Sequence, residues 1–189
     1  SNVEAIHPGY GFLSENADFA AACEKNDVIF IGPKPKSIKI MGNKAAAKKI
    51  VSAAGFQCIP GCELRKKTNS EIAFLGNKIG YPLMIKATSG GGGKGMRLVT
   101  RQEELHKELK IAQAEALSSF GSNEIIFERA ITHARHVEIQ IFGDTLGNII
   151  HLGERDCSVQ RRHQKIFEEA PSPKMDKKLR QAMGETAVK

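Results

Sequence analysis

The sequence has no tryptophan and only two tyrosines among its 189 residues. Single-stranded nucleic acid is bound largely on stacked aromatic rings, so such a partner finds few platforms here. No apolar run approaches the ~20 residues that a bilayer-spanning helix needs. No basic-then-apolar stretch opens the chain, and no repeat or low-complexity tract interrupts it. There are four cysteines, and Cys58-x-x-x-Cys62 is the only close pair. No second pair stands at zinc spacing, and the chain is not a short, cysteine-dense scaffold. The thiols are therefore expected to be structural ones in a reducing compartment. His133 and His136 are three apart but straddle a loop-to-strand junction, which argues against a metal pair.

What is present is a globular composition with an excess of positive charge. Hydrophobic residues make up 41% and charged residues 26%, enough for the core of one large or two small domains. The net charge of +7 favours anionic partners. Apart from Arg161-Arg162-His163-Gln164-Lys165 the basic residues are scattered, which suits a small phosphorylated ligand better than a long polyanion.

Local patterns predict an α/β segment first. "VEAI" (Val3–Ile6) and "VIFIG" (Val28–Gly32) read as strands around a helix over Ala17–Asn26. Asn43 caps a helix, "KAAAKKIVSAA", that ends at Gly55, and "IPGCE" follows as a loop. A small α+β unit comes next. Ser70 is expected to cap a helix to Ile79, and "YPLMIKA", "GMRLVT" and "NEIIFERA" read as strands. Thr100-x-x-Glu103 reads as a capping box before a helix whose stripe is Leu105, Leu109, Ala112 and Ala116. "RHVEIQIF" alternates, with Val137, Ile139 and Ile141 on one face and His136, Glu138 and Gln140 on the other. The turn "GDTLGN" then leads into "IIHLGE", which predicts an antiparallel hairpin. An amphipathic helix begins near Pro173 with Leu179, Met183 and Ala187 on its stripe. The abrupt start and the uncapped final helix read as the ends of an internal fragment.

"TSGGGGKGMRLV" (Thr88–Val99) is the most unusual stretch. Glycine-rich loops let backbone N–H groups approach an anion closely. A P-loop would need Ser or Thr after Lys94 and a helix beyond, but Gly95 and a strand follow. Gly90-x-Gly92-x-x-Gly95 matches the dinucleotide fingerprint in spacing, yet that fingerprint also opens a helix. Strand, glycine loop and strand remain: a hairpin flap of the kind that covers triphosphates, with Lys86 just before it, or a plain mobile hairpin.

"AIHPGYGFLSENADFA", "IFIGP", "MGNKAAAK", "MIKATSGGGGKGMRLV", "RHVEIQIFGD" and "ERDCSVQRRHQKIFEEAP" closely resemble, in this order, the biotin carboxylase component of biotin-dependent carboxylases, a branch of the ATP-grasp superfamily. The resemblance covers His7 to Pro171 at least. It implies an ATP-grasp fold of α/β and α+β parts. Residues 1–42 would end a Rossmann-like N-terminal domain, 43–59 form a linking helix, 60–127 the lid, and 128–189 the start of a truncated C-terminal ATP-grasp domain.

The implied activity is ATP-dependent carboxylation of biotin on a carrier, with bicarbonate activated as carboxyphosphate. The implied cofactors are ATP, Mg2+ or Mn2+, and biotin. Residue by residue, Lys44 and Lys86 match the phosphate-contacting lysines, and Gly92 and Gly93 the flap contacts. Glu128, Arg129, Ala130 and Ile131 match the adenine-binding segment, where the family often has lysine in place of Arg129. His136 matches a ribose-side histidine. Gln160 and His163 match residues near nucleotide and biotin, and Lys165 matches the bicarbonate-holding lysine, taken as catalytic. Tyr10 and Gly11 match positions near the biotin ring. No metal ligand is assigned, since the family's metal-binding glutamates and asparagine, catalytic arginine and biotin base would all lie beyond Lys189.

The wording of "MIKATSGGGGKGMR" and "HLGERDCSVQRRHQK" resembles the acyl-CoA carboxylase α-subunits. That implies a carrier domain and a carboxyltransferase subunit as partners, assembly as a homodimer or larger, and a cytoplasmic or mitochondrial-matrix location, with no nucleic acid or membrane partner. A pyruvate carboxylase domain, another ATP-grasp carboxylate-amine ligase and a non-enzymatic binding module are the alternatives. The fragment alone is expected to be inactive.

Overall fold

The computed structural model describes the chain apart from Ser1, Gly92, Arg162 and His163. It forms two compact units, Ser1–Ala130 and Ile131–Lys189.

In the first unit, β1 (Ala5–Ile6) pairs in parallel with β2 (Ile29–Phe30) across helix α1 (Ala17–Lys25). The Asn16 side chain accepts from Phe19 N at 2.9 Å and so starts α1. Helix α2 (Pro35–Met41) was not expected from the sequence. Its first position is a proline, which fits where the N–H would have no partner. Helix α3 (Lys44–Ala53) starts as predicted, with the Asn43 side chain accepting from Ala46 N.

A four-stranded antiparallel sheet follows, in the order β3 (Gly61–Glu63), β6 (Ile125–Arg129), β4 (Leu83–Ala87), β5 (Arg97–Val99). The three predicted strands are there, but "IPGCE" is not all loop. Gly61–Glu63 finds a partner in β6, with Gly61 opposite Glu128. Three residues carry no readable alternation, so only the distant partner reveals this strand. Between the strands lie α4 (Asn69–Ile79) and α5 (Leu105–Phe120). Their stripes Ile72, Leu105, Leu109, Ala112 and Ala116 cover one sheet face, made by Leu83, Ile85, Ala87, Val99, Ile125 and Phe127.

Two helix starts differ from expectation. Thr68, not Ser70, caps α4, and Glu71 returns the bond to the Thr68 backbone as a full capping box. The Thr100–Glu103 box does not form. A short 3-10 turn over Gln102–Glu104 intervenes, and Thr100 and Arg101 both bond Glu104.

The second unit holds the predicted hairpin, β7 (Val137–Gly143) against β8 (Ile149–Asp156), with a register shift between Ile139 and Ile141. That shift breaks the strict alternation. In the basic stretch β9 (Gln160–Arg161) pairs antiparallel with β10 (Gln164–Lys165). Helix α6 (Lys177–Val188) begins after Pro173, where Asp176 caps Leu179 N. Gly184, beside the Leu179–Met183–Ala187 stripe, makes the close approach, resting on the His151 ring.

Candidate functional site

The sheet of the first unit has a second face, bearing Met84 and Lys86 from β4, Ile126 and Glu128 from β6, and Gly61 and Glu63 from β3. Helix α3 is tied to this face by ion pairs, Lys48 to Glu128 at 2.7 Å and Lys49 to Glu63 at 2.6 Å. Its start is tied to the glycine stretch. The Lys44 N–H donates to the Thr88 carbonyl at 2.9 Å, Asn43 bridges to Ser89, and the Lys44 ammonium donates to the Gly90 carbonyl.

The flap is anchored at both ends. Gly90, at φ +81°, lies under the Phe120 ring, and Gly95, at φ +67°, lies on the Ala87 and Ala116 methyl groups. Ala87 N donates to the Gly95 carbonyl at 3.2 Å and closes the loop. Gly93 also takes a positive φ, of 76°, a conformation that glycine adopts readily. Gly92 lies outside the described residues.

Lys86 and Glu128 meet on the second face at 2.7 Å. Burial pushes the Glu128 carboxyl up, but hydrogen bonds from Lys48 and Lys86 outweigh it and hold the group below the usual range. Burial first, and then the nearby charge of Lys86, push the Lys44 ammonium down. Three lysines therefore gather around one carboxylate, and the surplus charge beside the flap is suited to an anion. Glu128 is already shared by two lysines, so it does not fit a divalent metal.

The rest of the "ERAI" segment is partly spent on the fold. Arg129 N donates to the Pro60 carbonyl and Ala130 N to the Pro82 carbonyl. The Arg129 guanidinium donates to the Ile79 carbonyl at 2.9 Å, closing the end of α4. Ile131, which opens the second unit, is exposed. Tyr10 is also exposed, its ring edge-on to His7 at 6.0 Å, and Gly11 at φ 70° opens a short 3-10 turn.

In the second unit the structure gathers His136, Gln160 and Lys165. The Gln160 amide nitrogen lies 2.7 Å from His136 Nδ1 and donates to the Cys157 carbonyl at 2.8 Å. Lys165 is paired with Glu138, and Glu138 also takes Arg155 at 2.6 Å. Glu168 lies 3.5 Å from Lys165. The Glu138 hydrogen bond holds the Lys165 ammonium above its usual range, and burial pushes the Cys157 thiol up. Glu138, Cys157 and Glu168 bring ligand atoms within 4.8 Å of one another. Arg155 and Lys165 already neutralise the two carboxylates, so this cluster is poorly suited to a cation. His163 lies outside the described residues.

Sequence reasoning overlooked Lys48, Arg155 and Glu168 as members of these clusters. Lys48 had a signal, its i,i+4 spacing from Lys44. Arg155 had none within its own strand, because its partner Glu138 comes from across the hairpin.

Residues 43–189 match the family model described as carbamoyl-phosphate synthase L chain, ATP binding domain, and residues 1–38 match biotin carboxylase, N-terminal domain. The chain is 53% identical over 188 residues to the mitochondrial methylcrotonoyl-CoA carboxylase subunit alpha of Dictyostelium discoideum, covering 100% of this chain and 27% of that one. It is also 53% identical to the biotin carboxylase of a Nostoc species, covering 42% of it. The crystal structure of the biotin carboxylase domain dimer of Hydrogenobacter thermophilus 2-oxoglutarate carboxylase is bound to MgADP, ADP and bicarbonate. It superimposes with a TM-score of 0.93 at 44% identity, over 98% of this chain and 41% of that one. The chain thus spans well under half the length of these relatives.

Proposed function

Since the chain belongs to the biotin carboxylase family of ATP-grasp domains, we propose that it carries the phosphate-binding half of an ATP site used to carboxylate biotin. The observation that carries this reading is the convergence of Lys44, Lys86 and Glu128 beside the anchored glycine flap. Lys44, Lys86 and the loop N–H groups, those of Gly92 and Gly93 among them, offset the charge that builds on a transferring phosphoryl group. Glu128 to Ile131 border the base, and His136 the ribose. Gln160 and His163 approach nucleotide and biotin, Tyr10 and Gly11 approach biotin, and Lys165 is the catalytic residue that holds bicarbonate for attack on the γ-phosphate. Because Glu138 grips Lys165, bicarbonate competes with that carboxylate for its charge.

Magnesium or manganese would balance the triphosphate when bound, and Glu128, Glu138 and Glu168, already paired with lysine or arginine, are poorly suited to hold it. The reading extends to an acyl-CoA carboxylase and to a dimer, which the names of the relatives support, and to a biotin carrier domain and a carboxyltransferase subunit as partners. Among the described residues no helix is long and apolar enough to cross a membrane, and a cytoplasmic or matrix location fits the reading.

Calorimetry of this chain with Mg-ATP, beside Lys86→Ala and Lys44→Ala, tests it. A charged hydrogen bond contributes about 1.5–3 kcal/mol, so each variant weakens binding by roughly 10- to 150-fold. Binding by all three with equal affinity, or none by the wild type, overturns the reading.

A further inference from the structure

Lys48 matches no residue in the assignment above, yet it is built into the same cluster. It stands one helical turn beyond Lys44. Its side chain is 24% exposed, and its Nζ is 2.7 Å from Glu128 Oε1, while Lys86 Nζ holds Glu128 Oε2 at 2.7 Å. Gly61 makes the slot for it, since a Cβ at that position would stand 3.0 Å from Lys48 Nζ. The charged groups facing Glu128 are Lys48 from α3 and Lys86 from β4, with Lys44 beyond them.

One buried carboxylate thus serves two ammonium groups. With Lys86 as its only partner, Glu128 would neutralise that lysine. A phosphate would then have to break a half-buried ion pair and leave a buried carboxylate uncompensated, which is costly. With Lys48 in place, Lys86 can turn to an anion while Glu128 keeps a full counter-charge. We propose that Lys48 is a positioning residue: it anchors Glu128 so that the charge of Lys86 is available to the nucleotide phosphates. This rests on the nucleotide reading given above.

The test is Mg-ATP calorimetry on the wild-type chain, Lys48→Met, Lys48→Arg, Lys86→Ala and the double variant Lys48→Met/Glu128→Gln. At about pH 7.5 Lys48→Met should weaken binding roughly tenfold, while Lys48→Arg stays within about twofold. Adding Glu128→Gln to Lys48→Met should recover at least part of the loss, because a neutral amide leaves the charge of Lys86 free. A residue that only braces the fold would show no such recovery. Should Lys48→Met fail to fold, Lys48→Gln, which keeps a donor but no charge, is read in the same way. If Lys86→Ala weakens binding but Lys48→Met does not, or Glu128→Gln recovers none of the Lys48→Met loss, this inference is wrong and the nucleotide reading stands. If Lys86→Ala also binds like wild type, or wild type does not bind, both fall.

Discussion

Gly90→Ala tests the anchoring of the flap most directly. The perturbation has two parts. Gly90 sits at φ +81°, and an L-residue in the left-handed region costs roughly 1–2 kcal/mol. The new Cβ would also overlap the Phe120 ring, which is half-buried against the core of the first unit. Removing a fully buried Phe side chain costs about 3–5 kcal/mol, so expelling this half-buried ring costs up to about 2 kcal/mol. The total is about 1–4 kcal/mol, readable by urea unfolding. A double-mutant cycle separates the parts. Phe120→Ala should cost about 2 kcal/mol alone. Combined with Gly90→Ala it should cost about 1–2 kcal/mol less than the sum, because the steric part is then already gone. At Gly91 a Cβ meets nothing within 4 Å, so Gly91→Ala should stay within ~0.5 kcal/mol. Additivity within ~0.5 kcal/mol would show that Phe120 is not seated on Gly90 and would refute the anchoring argument.

Other consequences concern the helix start and acid stability. Thr68→Ala removes the capping box of α4 and should cost about 0.5–2 kcal/mol in urea unfolding, whereas Ser70→Ala, at the position expected from sequence to cap, should cost less. In the second unit the Ser158 hydroxyl, with help from Arg135 and Ser172, outweighs burial and holds the Asp156 carboxyl at about 2. A lowered carboxyl stabilises the fold above its unfolded value and loses that stabilisation as the pH falls through its folded value. Acid should therefore weaken the second unit between about pH 4 and about pH 2, and Asp156→Asn should flatten that limb of a circular-dichroism titration.

The expected elements that reappear are those whose cause is local. Asn43 caps α3 through a bond to a residue three positions on. The stripe Leu105, Leu109, Ala112 and Ala116 needs only the helical period to share a face, and all four are buried. The strands on either side of the glycines follow from their β-branched and apolar runs. The errors have the opposite cause. Strand β3 exists because β6 offers it hydrogen bonds, and a three-residue strand has too little pattern to announce itself. Thr68 prevailed over Ser70 because Glu71 lies three residues after it and can complete the box.

The candidate site divides in the same way. The sequence by itself determined the family and marked the glycine loop with the lysines near it, because these features lie in short continuous motifs along the chain. The tertiary structure alone decided how those charges are shared. Glu128 belongs to two lysines, one from a helix 80 residues earlier in the chain and one from the neighbouring strand. Lys165, in β10, belongs to Glu138, in β7, although those two strands do not pair with each other. Charge balance depends on distance in space and on burial, and neither is written in the order of residues.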